Sequence, residues 1–216
     1  MNACIHKTVE EIREATKNRG IQLDVEQLYA IAEVVTPPMN LLVFGLGYDS
    51  SFWCELNDGG RTVFIEDNGA WFRHIKSRHT LLEAYLITFN TRRSQWKGLL
   101  KKPESLKLKL PREIYVGVWD VVLVDGPAGY ADDTPGRMKS IYMASQLVRT
   151  DGAVFVHDAE REVEKVYCDR FLLRSNFVRE TKGSKGALHH FKMANSTGLS
   201  RSSYCASRRR ETAPTI

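Results

Sequence analysis

Leu41–Ser51 reads LLVFGLGYDSS, four apolar residues followed by Gly-Leu-Gly and then by Tyr-Asp-Ser-Ser. The order is that of a strand, a tight turn and the start of a helix. Gly45 and Gly47 carry no Cβ, so at such a turn the backbone can lie against a ligand. The third glycine of the fingerprint G-x-G-x-x-G is absent, and Ser50 stands in its place. That departure disfavours a pyrophosphate, which needs the helix N-terminus drawn close. A ligand with one ribose and no phosphate tolerates Ser50, with Asp49 or Ser50 capping the helix or facing the ligand. The next strand-like run, Arg61–Glu66 (RTVFIE), ends in an acid. A carboxylate there is placed to accept hydrogen bonds from ribose hydroxyls.

The 216 residues suffice for one α/β domain with a sizeable core. Hydrophobic and charged fractions of 43% and 26% are those of an ordinary soluble protein, and the net charge is a modest +5. No aromatic-interleaved basic face is visible, so no nucleic-acid partner is expected. Cys4, Cys54, Cys168 and Cys205 form no C-x-x-C pair, which suits free thiols in a reducing compartment. Without an apolar leader or an 18-residue apolar run, a soluble, cytoplasmic chain is expected. The Asn195-Ser196-Thr197 sequon carries meaning only in a secretory lumen.

Three segments are expected. Residues 1–38 form an N-terminal helical segment, in two pieces broken near Lys17–Gly20, with Asp24 capping the second and Pro37-Pro38 ending it. Residues 39–194 form the main domain, and 195–216, with Arg208-Arg209-Arg210, a polar basic tail without internal order. Within the main domain strands alternate with helices. Asn40–Gly45, Arg61–Glu66, Glu83–Phe89, Trp119–Val124 and Ala153–Val156 read as strands. Ser50–Leu56, Ala70–Arg78, Gln95–Lys101, Met138–Val148 and Glu160–Leu173 read as helices. The alternation implies a mostly parallel sheet with helices on both faces. Phe177–Thr181 and Leu188–Lys192, joined at Gly183–Gly186, read as a closing antiparallel hairpin. A hairpin of that kind on such a sheet outlines the Rossmann-like class I methyltransferase fold, where a dinucleotide dehydrogenase would repeat its βαβ pattern.

Ligands of open α/β sheets bind beyond the carboxyl ends of the strands. Asp125 follows the fourth strand and His157-Asp158 the fifth, so all three should face the crevice of Gly45 and Glu66. Methylating a hydroxyl requires a group that takes its proton. Asp125 is a candidate base with His157 orienting it; alternatively Asp125 and Asp158 hold a divalent metal cation. Asp158 also suits an N-cap, and His157 a structural hydrogen bond. Gly136 and Arg137 precede a helix whose dipole opposes Arg137, so Arg137 either grips a substrate carboxylate or pairs with Asp132 or Asp133 on the surface. His189 and His190 point to opposite faces of one strand and are not expected to share a metal.

NLLVFGLGYDSSFW, GGRTVFIED, WDVVLVDGPAGY, TPGRMKSIYMA, VFVHDAEREVE and ALHHF together resemble the plant glucuronoxylan 4-O-methyltransferase family and its irregular-xylem relatives in cell-wall polysaccharide biosynthesis. The resemblance spans about Leu23–Met193. It implies S-adenosyl-L-methionine as donor and, as acceptor, the 4-hydroxyl of a glucuronic acid side chain on xylan. It implies cofactor roles for Gly45, Gly47, Asp49 and Glu66, and matches Asp125, Gly136, Arg137, His157 and Asp158 to family motifs. The family's plant members resemble Golgi proteins with an N-terminal anchor, where this chain has a charged helix; an anchored form would place the domain in the Golgi lumen. The basic stretch after the third strand also departs from the plant pattern, in a region expected to shape the acceptor site. The other readings are an NAD-dependent oxidoreductase and a non-catalytic biosynthesis factor that keeps the fold.

Overall fold

A computed structural model describes residues 8–194. The expected tail, the sequon, Cys4 and Cys205 lie outside the described residues. Two short helices come first, α1 (Val9–Thr16) and α2 (Val25–Ala32). Thr8 and Glu11 form a reciprocal cap on α1. Asp24 takes the N-cap position of α2, its backbone N–H donating to Gln27 Oε1 at 3.1 Å. The alternating region follows as β1 (Asn40–Phe44), α3 (Ser50–Leu56), β2 (Arg61–Glu66), α4 (Gly69–Arg78) and β3 (Glu83–Leu86). Then come α5 (Trp96–Leu100), α6 (Arg112–Val116), β4 (Trp119–Val124), α7 (Met138–Leu147), β5 (Val148–His157) and α8 (Glu162–Tyr167). The chain closes with β6 (Phe177–Gly183) and β7 (Gly186–Lys192).

The seven strands form one sheet in the order β3-β2-β1-β4-β5-β7-β6. The first five are mutually parallel, while β7 runs antiparallel to β5 and β6 antiparallel to β7. The return strand β7 thus lies inside the sheet and β6 forms its edge. Alternation along each strand divides the core into two layers. Leu42, Phe44, Val122, Val124, Val154 and Val156 pack with α6, α7 and α8 on one face. Leu41, Val43, Val121, Leu123 and Phe155 pack with α1 to α4 on the other. Ile12, Leu28 and Ile31 belong to this second layer, so the N-terminal helices share a core with the sheet.

Three elements differ in extent from the sequence reading. β3 ends at Leu86 rather than Phe89, because its one neighbour β2 ends at Glu66, the partner of Leu86. β5 begins at Val148, where a register shift against β4 lets Trp119 pair with Val148 before the regular ladder starts at Val121. The helix expected to run to Leu173 is regular only to Tyr167. It then widens into a π turn over Cys168–Leu173 that keeps Cys168 and Leu172 buried.

Candidate active site

The carboxyl ends of β1, β2, β4 and β5 open into a cleft of about 400 Å³, within the range of about 300–1,000 Å³ usual for small-molecule sites. Gly45, Gly47, Asp49, Glu66, Asp125, Arg137, His157 and Asp158 all border it. Gly136 does not. Its φ is +72°, its N–H donates to Ala128 O at 2.8 Å, and an added Cβ would lie 2.5 Å from Met138 Sδ. Gly136 therefore folds the loop that carries Arg137 instead of touching a ligand.

On the β1–β2 side, Gly45 has a φ of +122°, and an added Cβ would lie 3.3 Å from the Asp125 carbonyl carbon and the Gly126 nitrogen. The exits of β1 and β4 meet here without side chains between them. Ser50 is buried, and its Oγ accepts from Gly47 N–H at 2.9 Å. Asp49 Oδ2 accepts from Trp53 Nε1 at 2.8 Å; burial, helped by the nearby Asp125 charge, pushes the Asp49 carboxyl up to about 6. Glu66 accepts from Leu46 N–H at 3.0 Å and from Asn68 N–H at 2.8 Å. Burial raises its pKa to about 7, and the Asp67 charge adds to this against the two amide bonds. Trp71 lies in the first turns of α4, with Phe72 and Ile75 at helical spacing. Its indole lines the cleft, donates to Leu46 O, and stacks on His74 at 5.3 Å with Tyr48 edge-on.

On the β4–β5 side, four side chains make one network. Arg137 donates through Nε to Pro127 O at 3.3 Å and through Nη1 to His157 O, while Nη2 meets Asp125 Oδ1 at 3.3 Å and Asp158 Oδ2 at 2.8 Å. His157 Nδ1 lies 2.9 Å from Asp125 Oδ1. An ionised carboxylate only accepts, so Nδ1 carries the proton. Burial alone would raise the Asp125 pKa, but the His157 hydrogen bond and the Arg137 charge outweigh it and hold the carboxyl below its ordinary value. Asp125 is the member that faces the cleft: its side chain is 23% exposed, against 5–7% for the other three. His157 Nε2 is buried and makes no hydrogen bond among the described residues.

Asp158 has a φ of +58°, and an added Cβ on Gly186 would come within 2.5 Å of its Oδ1. The hairpin turn is thus built around this carboxylate, which also pairs with Arg161 at 3.0 Å. Arg137 is neither a surface residue nor paired with Asp132, whose partner is Arg93. Four of its five N–H donors are directed at Pro127, His157, Asp125 and Asp158. The same contact bears on a divalent cation. Asp125 and Asp158 converge on Arg137, and among the described residues no group of three or more His, Cys, Asp or Glu is arranged to hold an ion. The set does not fit a metal, because the positive charge between the two carboxylates is Arg137's own. His189 pairs with Glu180 at 2.9 Å, and His190 stacks on Phe155 at 4.4 Å; neither borders the cleft.

The cleft includes residues that sequence reasoning did not single out. Ile21 and Gln22 reach it from the α1–α2 connection, Tyr130 from the loop after β4, Arg161 from the start of α8, and Lys185 from the β6–β7 turn. Tyr130 is 76% exposed. Arg161 and Lys185 are the cations on this rim that remain open to solvent.

This sheet order, with its reversed seventh strand and its cleft at the strand ends, is the class I methyltransferase fold. Two solved structures share it: a methyltransferase from Pyrococcus furiosus (13% identity, covering 86% of this chain and 96% of that one, TM-score 0.51) and the T. thermophilus 16S rRNA N2 G1207 methyltransferase in complex with AdoMet and guanosine (13%, 82% and 44%, TM-score 0.53). The family model described as IRX15/IRX15L/GXM matches residues 24–108 and 104–191, and the chain belongs to that family. Glucuronoxylan 4-O-methyltransferase 1 of Arabidopsis thaliana is 42% identical over 175 residues, 71% of this chain and 61% of that protein. Arabinogalactan O-methyltransferase 1 of the same plant is 34% identical over 71% and 60%. Protein IRX15-LIKE, also from Arabidopsis thaliana, is 32% identical over 82% and 63%. The chain spans about three fifths of the length of these relatives. Among the described residues no helix is long and apolar enough to cross a membrane.

Proposed function

We propose that the chain is an S-adenosylmethionine-dependent O-methyltransferase acting on a hydroxyl of a uronic-acid-containing glycan, such as glucuronoxylan. The observation that carries this reading is the charge of the cleft around the glycine turn. Asp49, Glu66, Asp67 and Asp125 line it together. The Gly47 amide, which a phosphate would need, is taken by Ser50 Oγ. Such a wall favours a cationic ligand and opposes a pyrophosphate, which counts against the NAD reading. The names of the plant relatives support methyl transfer to a glycan.

S-adenosylmethionine, when bound, supplies an electrophilic methyl carbon. Glu66 would hold the ribose hydroxyls, Trp71 would flank the nucleoside, and the Gly45–Gly47 backbone and Asp49 would face the amino-acid end. Asp125 would orient the acceptor hydroxyl and take its proton, with the His157 N–H and Arg137 keeping that carboxylate ionised and fixed. A carboxylate with a lowered pKa is a weak base. It suffices because an alcohol oxygen becomes strongly acidic as it is alkylated, so the proton leaves late in the step. Asp158 would position Arg137 and Arg161. The acceptor carboxylate would fall to Arg161 and Lys185, since two internal carboxylates already hold Arg137, and Tyr130 would offer an aromatic surface to a sugar face.

Calorimetry with S-adenosylhomocysteine and NADH, followed by labelled methyl transfer to glucuronic-acid-bearing oligosaccharides, tests the proposal. S-adenosylhomocysteine should bind and label should enter the oligosaccharide; NADH binding in its place would overturn the reading.

A further inference from the structure

Lys139 lies two residues beyond Arg137, in the first turn of α7, and is 6% exposed. Its ammonium donates to Asn90 Oδ1 at 2.7 Å, and among the described residues no carboxylate pairs with it. A buried charge without a counter-ion is costly. Here the cost is compounded, because a cation in the first turn opposes the helix dipole and no side chain caps α7. Arg137, in the same electrostatic position, is balanced by Asp125 and Asp158; among the described residues no carboxylate balances Lys139. Burial correspondingly lowers its pKa.

The ammonium borders a second cavity, of about 460 Å³, that does not include the cleft residues. Asn90, Thr91, Gln95, Lys102 and Ser105 line it with Lys139, beside Gly98 and Leu99, so polar groups share its walls with an apolar patch and its rim carries another cation. The Thr91 hydroxyl donates to Pro135 O at 2.9 Å, and Arg93 N–H to Thr134 O at 2.7 Å. These bonds join the cavity wall to the loop that delivers Arg137 to the cleft. The cavity therefore adjoins the loop that carries Arg137 to the cleft.

We propose that this cavity is an anion-accepting subsite that holds a carboxylate of an acidic glycan at a sugar other than the one being methylated, with the Lys139 ammonium as its counter-ion. The proposal rests on the glycan reading of the main cleft.

The test uses the full chain, amide NMR and four probes: a xylo-oligosaccharide with two glucuronate branches, one with a single branch, a neutral one, and inorganic phosphate. The doubly charged oligosaccharide should shift the amides of Asn90, Thr91 and Lys139 and bind about tenfold tighter than the single-branch form, the scale of a charge-assisted hydrogen bond. Lys139→Met should abolish both the shifts and the gain while leaving S-adenosylhomocysteine affinity within about twofold, well under the 1.4 kcal/mol of a tenfold change. If that variant does not fold, Lys102→Gln at the exposed rim should lose part of the gain. Absence of shifts with every probe, or shifts that persist in Lys139→Met, overturns the subsite. Shifts with phosphate alone identify an adventitious ion only and overturn the glycan assignment. Because the shifts need neither cofactor nor turnover, failure of methyl transfer is read separately from failure of the subsite.

Discussion

The wall of the cleft built by β1 and β2 fixes its ligand-facing groups with backbone amides, whereas the wall built by β4 and β5 fixes them with charged side chains. Leu46 and Asn68 amides hold Glu66, and the Gly47 amide is held by Ser50. Across the cleft, Arg137 alone gathers Asp125, Asp158 and the His157 carbonyl. The first arrangement is tolerant, because amides stay in place when one side chain changes. The second is brittle: each charge depends on another, and removing one leaves buried charge short of a partner.

The largest effects are therefore expected on the β4–β5 wall. Arg137→Met should cost about 3–5 kcal/mol of stability in urea unfolding, the usual result of breaking a buried pair; a loss under about 1 kcal/mol, the scale of an exposed pair, would mean that the network is better hydrated than its burial indicates. Asp125→Asn should lower methyl transfer by about 10²–10⁴-fold, the range of general-base removal, with S-adenosylhomocysteine affinity nearly unchanged. An active Asp125→Asn enzyme would remove Asp125 from the chemistry. On the β1–β2 wall, Glu66→Gln should weaken S-adenosylhomocysteine about 10–100-fold, as expected for a charged acceptor, without unfolding the protein.

A pH series sharpens the contrast further. With the Glu66 pKa near 7 in the folded chain, the carboxyl keeps its proton where the unfolded chain has lost it. Its contribution to stability thus falls as pH rises from about 4.5 to 7 and is flat above that. Cofactor affinity should move oppositely, rising up to about tenfold per unit below pH 7 as the carboxylate forms, and Glu66→Gln should flatten the slope. Trp71→Phe, which removes only the donation to Leu46 O, should cost about 1 kcal/mol in binding or stability.

The same contrast accounts for what the sequence makes legible. Gly45, Ser50 and Glu66 lie within one βαβ unit, so a strand, a turn and an acid at the next strand end are readable as a pattern. The alternation of strands with helices and the closing hairpin follow from equally local signals. Asp125, His157 and Asp158 are recognisable as strand-end residues, but their pairing with Arg137 depends on how the loop after β4 folds around Gly136. The helix dipole correctly marked Arg137 as needing a partner, and the partners turn out to be internal acids. Trp71 was hidden because an apolar period does not reveal which ring sits at the cleft end of a helix. Lys185 was hidden because only the finished sheet brings the β6–β7 turn beside Asp158.

That turn has a consequence for the order in which the protein becomes competent. The Asp24 carboxylate accepts from Ser184 N–H and Oγ, and Gln27 Nε2 donates to Gly186 O. These bonds close loops of 160 and 159 residues, while the Leu46–Glu66 bond closes one of 20. Loop closure costs more entropy as the loop lengthens. The half of the cleft that shelters Glu66 can be assembled from an early stretch of chain, but Lys185 reaches its place only once the two distant parts of the chain have met. The Glu66 side of the cleft thus closes at a smaller entropic cost than the Lys185 rim.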